Sequence, residues 1–259
     1  MLDGDDRPSP PRSLLRALGE GIGKLILPPL CPLCRTHIDA NHALCPICWA
    51  GITFVRAPYC DRLGIPLPFD SGEINISAAA LANPPDFDRA RLVALYTGTM
   101  RTLVHGMKYS DRHDSYHLFA RWLTDAARPL IDENTIICPV PLSRGRLLHR
   151  RFNQAAELSR RLAHATNRPY LPQVLIRRRA TLPQVGLSAA QRKDNVAGAF
   201  AVPARHRHRV LNKAVLLVDD VVTTGATVNA CARALRRAGA RRVDVVALAG
   251  ASDTLGLPQ

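Results

Sequence analysis

The sequence predicts an α/β fold: a parallel sheet with helices on both faces, preceded by a small separate unit. Three observations predict it. From residue 91 to residue 250, short apolar runs alternate with amphipathic segments, the pattern of a right-handed parallel sheet covered on both sides. The run at 215–218, Val-Leu-Leu-Val, is continuously apolar, as a strand buried on both faces should be, and it leads into Asp219, Asp220 and a turn of small and hydroxyl residues. Upstream, Cys31-Pro-Leu-Cys34 and Cys45-Pro-Ile-Cys48 place two Cys-x-x-Cys pairs ten residues apart.

Four thiolates at that spacing can close on one tetrahedral zinc, and a segment with so few core residues needs such a staple. A redox Cys-x-x-Cys is the competing reading; the doubled pair and the missing βαβ context favour zinc. His37 and His42, between the pairs, read as surface histidines. Cys60 begins what looks like half of another knuckle, with Leu63 where its second thiol would stand. Cys138 and Cys231 fall in strand and helix patterns and read as small buried residues.

The chain has 259 residues, 47% of them apolar, enough for one α/β domain and a smaller unit. No apolar stretch is long enough to span a bilayer, and residues 14–27 are broken by Arg16, Glu20 and Lys24 and lack a small-residue cleavage site. A cytoplasmic protein is expected. The formal net charge of +14 favours anionic partners: nucleotide, pyrophosphate or nucleic acid. An aromatic content of 5% offers few platforms for stacking bases.

In chain order, residues 1–24 read as disordered or amphipathic, 25–66 as the ribbon, and 67–90 as a linker with one short strand near 74–80. The sheet domain, 91–250, begins with a strand at 91–96 and a helix from Met100 that carries Arg101 and Lys108. A second helix at 116–127 and a strand at 136–140 follow, closed by Pro141. Residues 142–151 then form a loop with Arg144, Arg146, Arg150 and Arg151, followed by a helix at 153–163. Guanidinium forks match phosphate oxygens, so this loop is either a pyrophosphate site or a turn merely solubilised by arginine. Residues 175–202 show little periodicity and read as a lid or a disordered loop. After the central strand come a helix at 228–238 and a strand at 243–249. Arg236, Arg237, Arg241 and Arg242 are either a solvated face or an anion site, and 251–259 is a tail.

The functional weight falls on the turn after the central strand. Thr223, Thr224, Gly225, Ala226 and Thr227 can aim several N–H groups and hydroxyls at one anion, because glycine permits positive φ and a helix starts there. Asp219 and Asp220 cannot bind phosphate, so they should face ribose hydroxyls with a magnesium ion. The ligand described is a phosphorylated sugar.

This order of residues resembles the phosphoribosyl-pyrophosphate (PRPP) motif of type I phosphoribosyltransferases. With Lys108-Tyr109, Pro139-Val-Pro141, Arg151-Phe-Asn-Gln-Ala155, Gln184, Arg192-x-x-Asn195 and Phe200, the chain over about residues 25–250 resembles the ComF family, a zinc ribbon fused to a type I phosphoribosyltransferase domain. It departs from the family pattern at Leu63 and at Arg151, where glycine is common.

The resemblance implies that residues 223–227 hold the 5-phosphate, Asp219 and Asp220 the ribose hydroxyls, and Arg144, Arg146 and Lys108 the pyrophosphate, with magnesium bridging. It implies transfer of a phosphoribosyl group to a nitrogenous acceptor such as a nucleobase. Partners implied in some relatives are single-stranded DNA and an ATP-driven competence helicase. An enzyme and a non-catalytic PRPP sensor or scaffold both fit these residues.

Overall fold

The computed structural model describes residues 29–70, 72, 74–109, 114–142, 153–179 and 188–251. Four parallel strands form the main sheet: β1 (Arg89–Leu95), β2 (Thr135–Pro139), β5 (Ala214–Val222) and β6 (Arg242–Gly250), in the order β1-β6-β5-β2. A separate antiparallel pair joins β3 (Ile176–Arg177) to β4 (Phe200–Ala201). Val218 stands level with Pro139 on one side and Val246 on the other, so β5 is central where its acids begin. Residues 214–218 are buried, as their continuous apolar run requires.

Alternation along β5 splits the core in two. Leu216 and Val218 face α3 (Gly98–Tyr109), α4 (Asp114–Ala127) and α5 (Gln154–Thr166). Val215 and Leu217 face α7 (Ala226–Arg237), with Val196 of α6 (Ala189–Val196) in the same cluster. The amino-terminal segment carries two short helices, α1 (Pro46–Ala50) and α2 (Ala78–Ala82). At the amino ends of the strands, Asp244 is buried, and its carboxylate accepts from Arg89 at 3.2 and 2.8 Å and from Arg242 at 2.8 Å. Two guanidinium groups make that burial tolerable.

Three expectations change. The short strand expected near 74–80 is helix α2 instead: its Ala-rich sequence is a strong helix former, and the Ser77 hydroxyl caps it by accepting from Ala80 N at 3.2 Å. The stretch at 175–202 holds β3, α6 with a Ser188/Gln191 capping box, and β4, while residues 180–187, including Gln184, lie outside the described residues. The ribbon is also no separate body. Val55 N donates to Val93 O at 3.0 Å and Leu95 N to Thr53 O at 2.9 Å, so 53–55 extends the edge of β1. Trp122 of α4 meets Phe54 and Trp49 edge-on, with ring centroids 5.3 and 5.7 Å apart. The readings of residues 1–24, Arg151 and 252–259 also lie outside the described residues.

Candidate active site and metal centre

Strand β5 does not stop at the acids but runs through them to Val222, because the neighbouring β6 extends as far, pairing Val222 with Gly250. Asp219 and Asp220 are half-buried, and their carboxylates accept from Asp220 N at 2.9 Å and Val221 N at 2.7 Å. The strand then turns through Thr223 and Thr224, whose hydroxyl accepts from Ala226 N at 3.4 Å. Gly225 is the N-cap of α7, in the left-handed region at φ 72° and ψ −4°. A Cβ there would meet nothing closer than Asn229 Nδ2 at 3.4 Å, so the glycine is required by conformation, not by space. Asp219, Thr223, Gly225, Ala226 and Thr227 line a recess of about 30 Å³ at the start of α7. The positive end of a helix dipole suits an anion.

The second wall comes from β2. Val140 N donates to Val218 O at 2.9 Å, and Asn153 Nδ2 returns to Val140 O at 3.2 Å. The chain therefore leaves for residues 143–152 and comes back beside Asp219. Arg144 and Arg146 lie outside the described residues; Lys108 falls in the last turn of α3, and its side chain lies outside them too. From α4, burial raises the Tyr116 hydroxyl pKa, and the charges of Glu157 and Asp220 raise it further. At the start of α5, Asn153 Oδ1 and Gln154 Nε2 are buried without a hydrogen-bond partner among the described residues. Sequence reasoning gave Tyr116, Asn153 and Gln154 no role. For Asn153 and Gln154 the available signals were their place in the Arg151-Phe-Asn-Gln-Ala155 stretch and a polar pair opening a helix just past a strand's carboxyl end.

The final basic cluster is structural where it is paired. Arg236 pairs with Asp88 at 2.6 Å, and Arg241 and Arg242 reach Asp132 at 3.3 and 2.8 Å. Arg233 binds Asp86 from the same helix. Phe200 is buried in β4 with the Arg177 guanidinium 5.3 Å from its ring centroid.

The four ribbon thiols converge. The sulfurs of Cys31, Cys34, Cys45 and Cys48 all lie within 4.8 Å of one another, and Cys34 and Cys45 are 3.6 Å apart. A tetrahedron of sulfurs at zinc bond lengths has edges of about 3.8 Å, so the donor set fits structural zinc. Hydrogen bonding with the Thr36 hydroxyl and backbone pulls the Cys34 thiol down to about 6. Burial pushes Cys48 up, and its neighbouring thiols push it further. Thiolates this close repel unless a dication sits among them. His37 and His42 are exposed and outside the cluster, His42 stacking on His117 at 4.3 Å. Cys138 and Cys231 are fully buried; burial pushes Cys138 up to about 12 and raises Cys231 as well, which makes them inert packing residues.

Residues 22–79 match a family described as "Double zinc ribbon domain", and residues 152–258 one described as "Phosphoribosyl transferase domain". The chain is 34% identical over 233 residues to the "DNA utilization protein YhgH" of Salmonella typhi, covering 85% of this chain and 96% of that protein. It is 30% identical over 227 residues to "Competence protein F" of Haemophilus influenzae, with the same coverage. Among solved structures, a glutamine PRPP amidotransferase from B. subtilis is similar at 22% identity with a TM-score of 0.34, over 50% of this chain and 25% of that one. By the identity and reach of the two relatives, the chain belongs to the ComF family, a double zinc ribbon followed by a phosphoribosyltransferase domain.

Proposed function

We propose that the protein binds PRPP with magnesium and transfers its phosphoribosyl group to a nitrogenous acceptor such as a nucleobase. The observation that carries this is the left-handed Gly225 opening α7 directly after Asp219 and Asp220 on the central strand. Thr223, Thr224, Gly225, Ala226 and Thr227 take the 5-phosphate at the positive end of the helix dipole. Asp219 and Asp220 hold the ribose hydroxyls. Their carboxylate oxygens, beside a phosphate site, are the donor set magnesium prefers, and magnesium bound there would neutralise charge on the departing pyrophosphate. Arg144, Arg146 and Lys108 supply the remaining positive charge. The acceptor nitrogen bonds to the anomeric carbon as the bond to pyrophosphate oxygen breaks, and no protein nucleophile is needed. Labelled PRPP, magnesium and a panel of nucleobases test the reading: pyrophosphate release should need both acids, and release equally fast from an Asp219→Asn, Asp220→Asn variant would refute it.

The names of the two relatives, a DNA utilization protein and a competence protein, support a place in DNA uptake. Among the described residues no helix is long and apolar enough to cross a membrane. A second reading, a PRPP-sensing scaffold that binds single-stranded DNA beside a competence helicase, is favoured by one feature. Between α4 and α5 a groove of about 450 Å³ is lined by His117, Arg121, Arg128, Arg160, Arg161 and His164, with Asp125 the acid among its described lining; Arg128 pairs with Asp125 at 3.2 Å, and Arg160 and Arg161 pair with Glu157 at 2.9 and 2.6 Å. Contacts there would be to phosphates, so affinity for a single strand should fall with salt at a log–log slope of about −0.7 per phosphate contacted. Anisotropy that detects no binding at low salt removes this reading.

A further inference from the structure

The amino-terminal segment folds as two copies of one knuckle, and only the first carries four thiols. In the first, Cys31 N donates to Thr36 O at 2.8 Å, Arg35 N to Cys31 O at 3.0 Å, and Ile38 N to Pro29 O at 2.9 Å. In the second, Cys60 N donates to Ile65 O at 2.7 Å, Gly64 N to Cys60 O at 2.7 Å, and Leu67 N to Pro58 O at 2.9 Å. The residue after the second ligand position is left-handed in both, Arg35 at φ 65° and Gly64 at φ 67°. Antiparallel bridges close both turns, Leu30 to His37 and Tyr59 to Pro66.

The return halves also correspond. Cys45 caps α1, its sulfur accepting from Cys48 N at 3.4 Å; Ser77 caps α2, its hydroxyl accepting from Ala80 N at 3.2 Å. The N-cap backbone is the same, φ −66° and ψ 158° against φ −72° and ψ 153°. Cys31 accepts from the backbone of Cys34 and Cys45. Cys60 accepts from Leu63 N at 3.5 Å and Ser77 N at 3.2 Å. Cys60, Leu63, Ser77 and Ala80 thus occupy the places of Cys31, Cys34, Cys45 and Cys48.

We propose that the second lobe is a ribbon that folds without metal: one thiol, a leucine, a serine and an alanine stand at its ligand positions, and the chain binds one zinc, not two. That donor set does not fit zinc, which needs nitrogen, sulfur or carboxylate ligands at all four corners. Among the described residues, the four cysteines of the first lobe form the one group of three or more metal-donor side chains.

What replaces the metal is attachment to the sheet. Cys60, Ile65 and Ala80 are buried in one cluster with Phe87, Ala90 and Leu92, and Leu63 packs against it. Arg91 of β1, itself buried, donates to Asp61 Oδ1 at 2.8 Å and lies 4.4 Å from the Tyr59 ring centroid. Arg62 donates to Pro85 O and Phe87 O at 3.0 Å each. A Cβ on Gly64 would come within 2.7 Å of Ala90 O, so the knuckle sits directly on β1. The first lobe needs a dication to hold its thiolates together; the second is held by apolar burial and ion pairing.

The inference rests on the zinc reading of the four-cysteine lobe, and elemental analysis of purified, reduced full-length protein separates the two. The wild type should hold about one zinc per chain, and Cys60→Ser should hold the same. Cys34→Ser should lose it; a Cys34→Ser variant that keeps full zinc overturns the first-lobe reading. A wild-type value near two that falls to about one in Cys60→Ser overturns the inference and leaves the first lobe intact. The decisive variant restores the ligands: Leu63→Cys, Ser77→Cys, Ala80→Cys should raise zinc to about two per chain, with cobalt substitution giving twice the thiolate absorption per chain. A folded triple variant that still binds one metal overturns the correspondence of the two lobes.

Discussion

Replacing Gly225 tests the phosphate turn most directly, because the structure separates its two possible reasons for being glycine. Space is not one of them: the nearest atom to an added Cβ is Asn229 Nδ2 at 3.4 Å, an ordinary contact. The reason is φ 72°, which costs a residue with a Cβ about 1–2 kcal/mol. Gly225→Ala should lose that amount, by lowering the melting temperature by about 2–8 °C if the turn is kept or by weakening PRPP about 5- to 30-fold if the turn relaxes. Asparagine tolerates the left-handed region better than alanine, and a β-branched residue is worst. The affinity order should therefore be Gly, Asn, Ala, Val, with Gly225→Val almost without binding. Isothermal titration with PRPP, with and without magnesium, reads the order, and thermal denaturation reads the strain. A Gly225→Val protein that binds PRPP like the wild type would refute the reasoning and the site with it.

Other perturbations address the remaining links. The Asp219→Asn, Asp220→Asn variant should keep more PRPP affinity than Gly225→Val but lose its magnesium dependence, measured in the same titrations; unchanged magnesium dependence would detach the acids from the ion. Removing zinc by Cys45→Ser should alter more than the ribbon, because Trp49 and Phe54 pack on Trp122 of α4; tryptophan fluorescence and melting temperature should both shift, and an unchanged melting temperature would show the lobe to be uncoupled. Leu217→Ala, at a fully buried position on β5, should cost about 2–5 kcal/mol in denaturant unfolding, and a cost below about 1 kcal/mol would mean this core face is loosely packed. Acid should also weaken the fold. Burial opposes ionisation of Glu157, but hydrogen bonds from Arg160 and Arg161 outweigh it and lower its pKa. Its contribution is present above the unfolded value near 4.3 and is lost as pH falls through the folded one. Glu157→Gln should flatten that part of the acid profile; an unaltered profile would place the acid sensitivity elsewhere.

The legible parts of the chain were those where local chemistry leaves one choice. Val215 to Val218 read as a strand buried on both sides, and a glycine among three threonines as a polar turn into a helix, although the acid pair between them stays in β5. The four thiols at paired spacing announced their cluster. Harder to read were residues whose state depends on neighbours distant in sequence. The alternating apolar and polar residues at 74–77 suit a strand by pattern, yet Ser77 caps an Ala-rich helix, with its backbone N–H donating to Cys60 Sγ from far along the chain and Ala80 buried in the same cluster. The arginines at the end of α7 and the start of β6 read as either a solvated face or an anion site until Asp88 and Asp132 were brought beside them from other strand ends.

The sequence alone settled the strands and helices of the sheet domain outside residues 175–202, the polar turn after β5 and the convergence of four thiols, since each follows from residues close to one another in the chain. Tertiary structure decided what no local pattern contains. It set the strand order that pairs Val140 with Val218, next to Asp219, and brings Asn153 back onto Val140. It also docked the ribbon on β1 and added Ser77 and Ala80, as the positional equals of Cys45 and Cys48, to the half-knuckle that Cys60 and Leu63 already marked in the sequence. The physical reason is range: backbone conformation and ligand spacing are set by near neighbours, whereas the partner of a buried or charged side chain is chosen by the fold that brings it into contact.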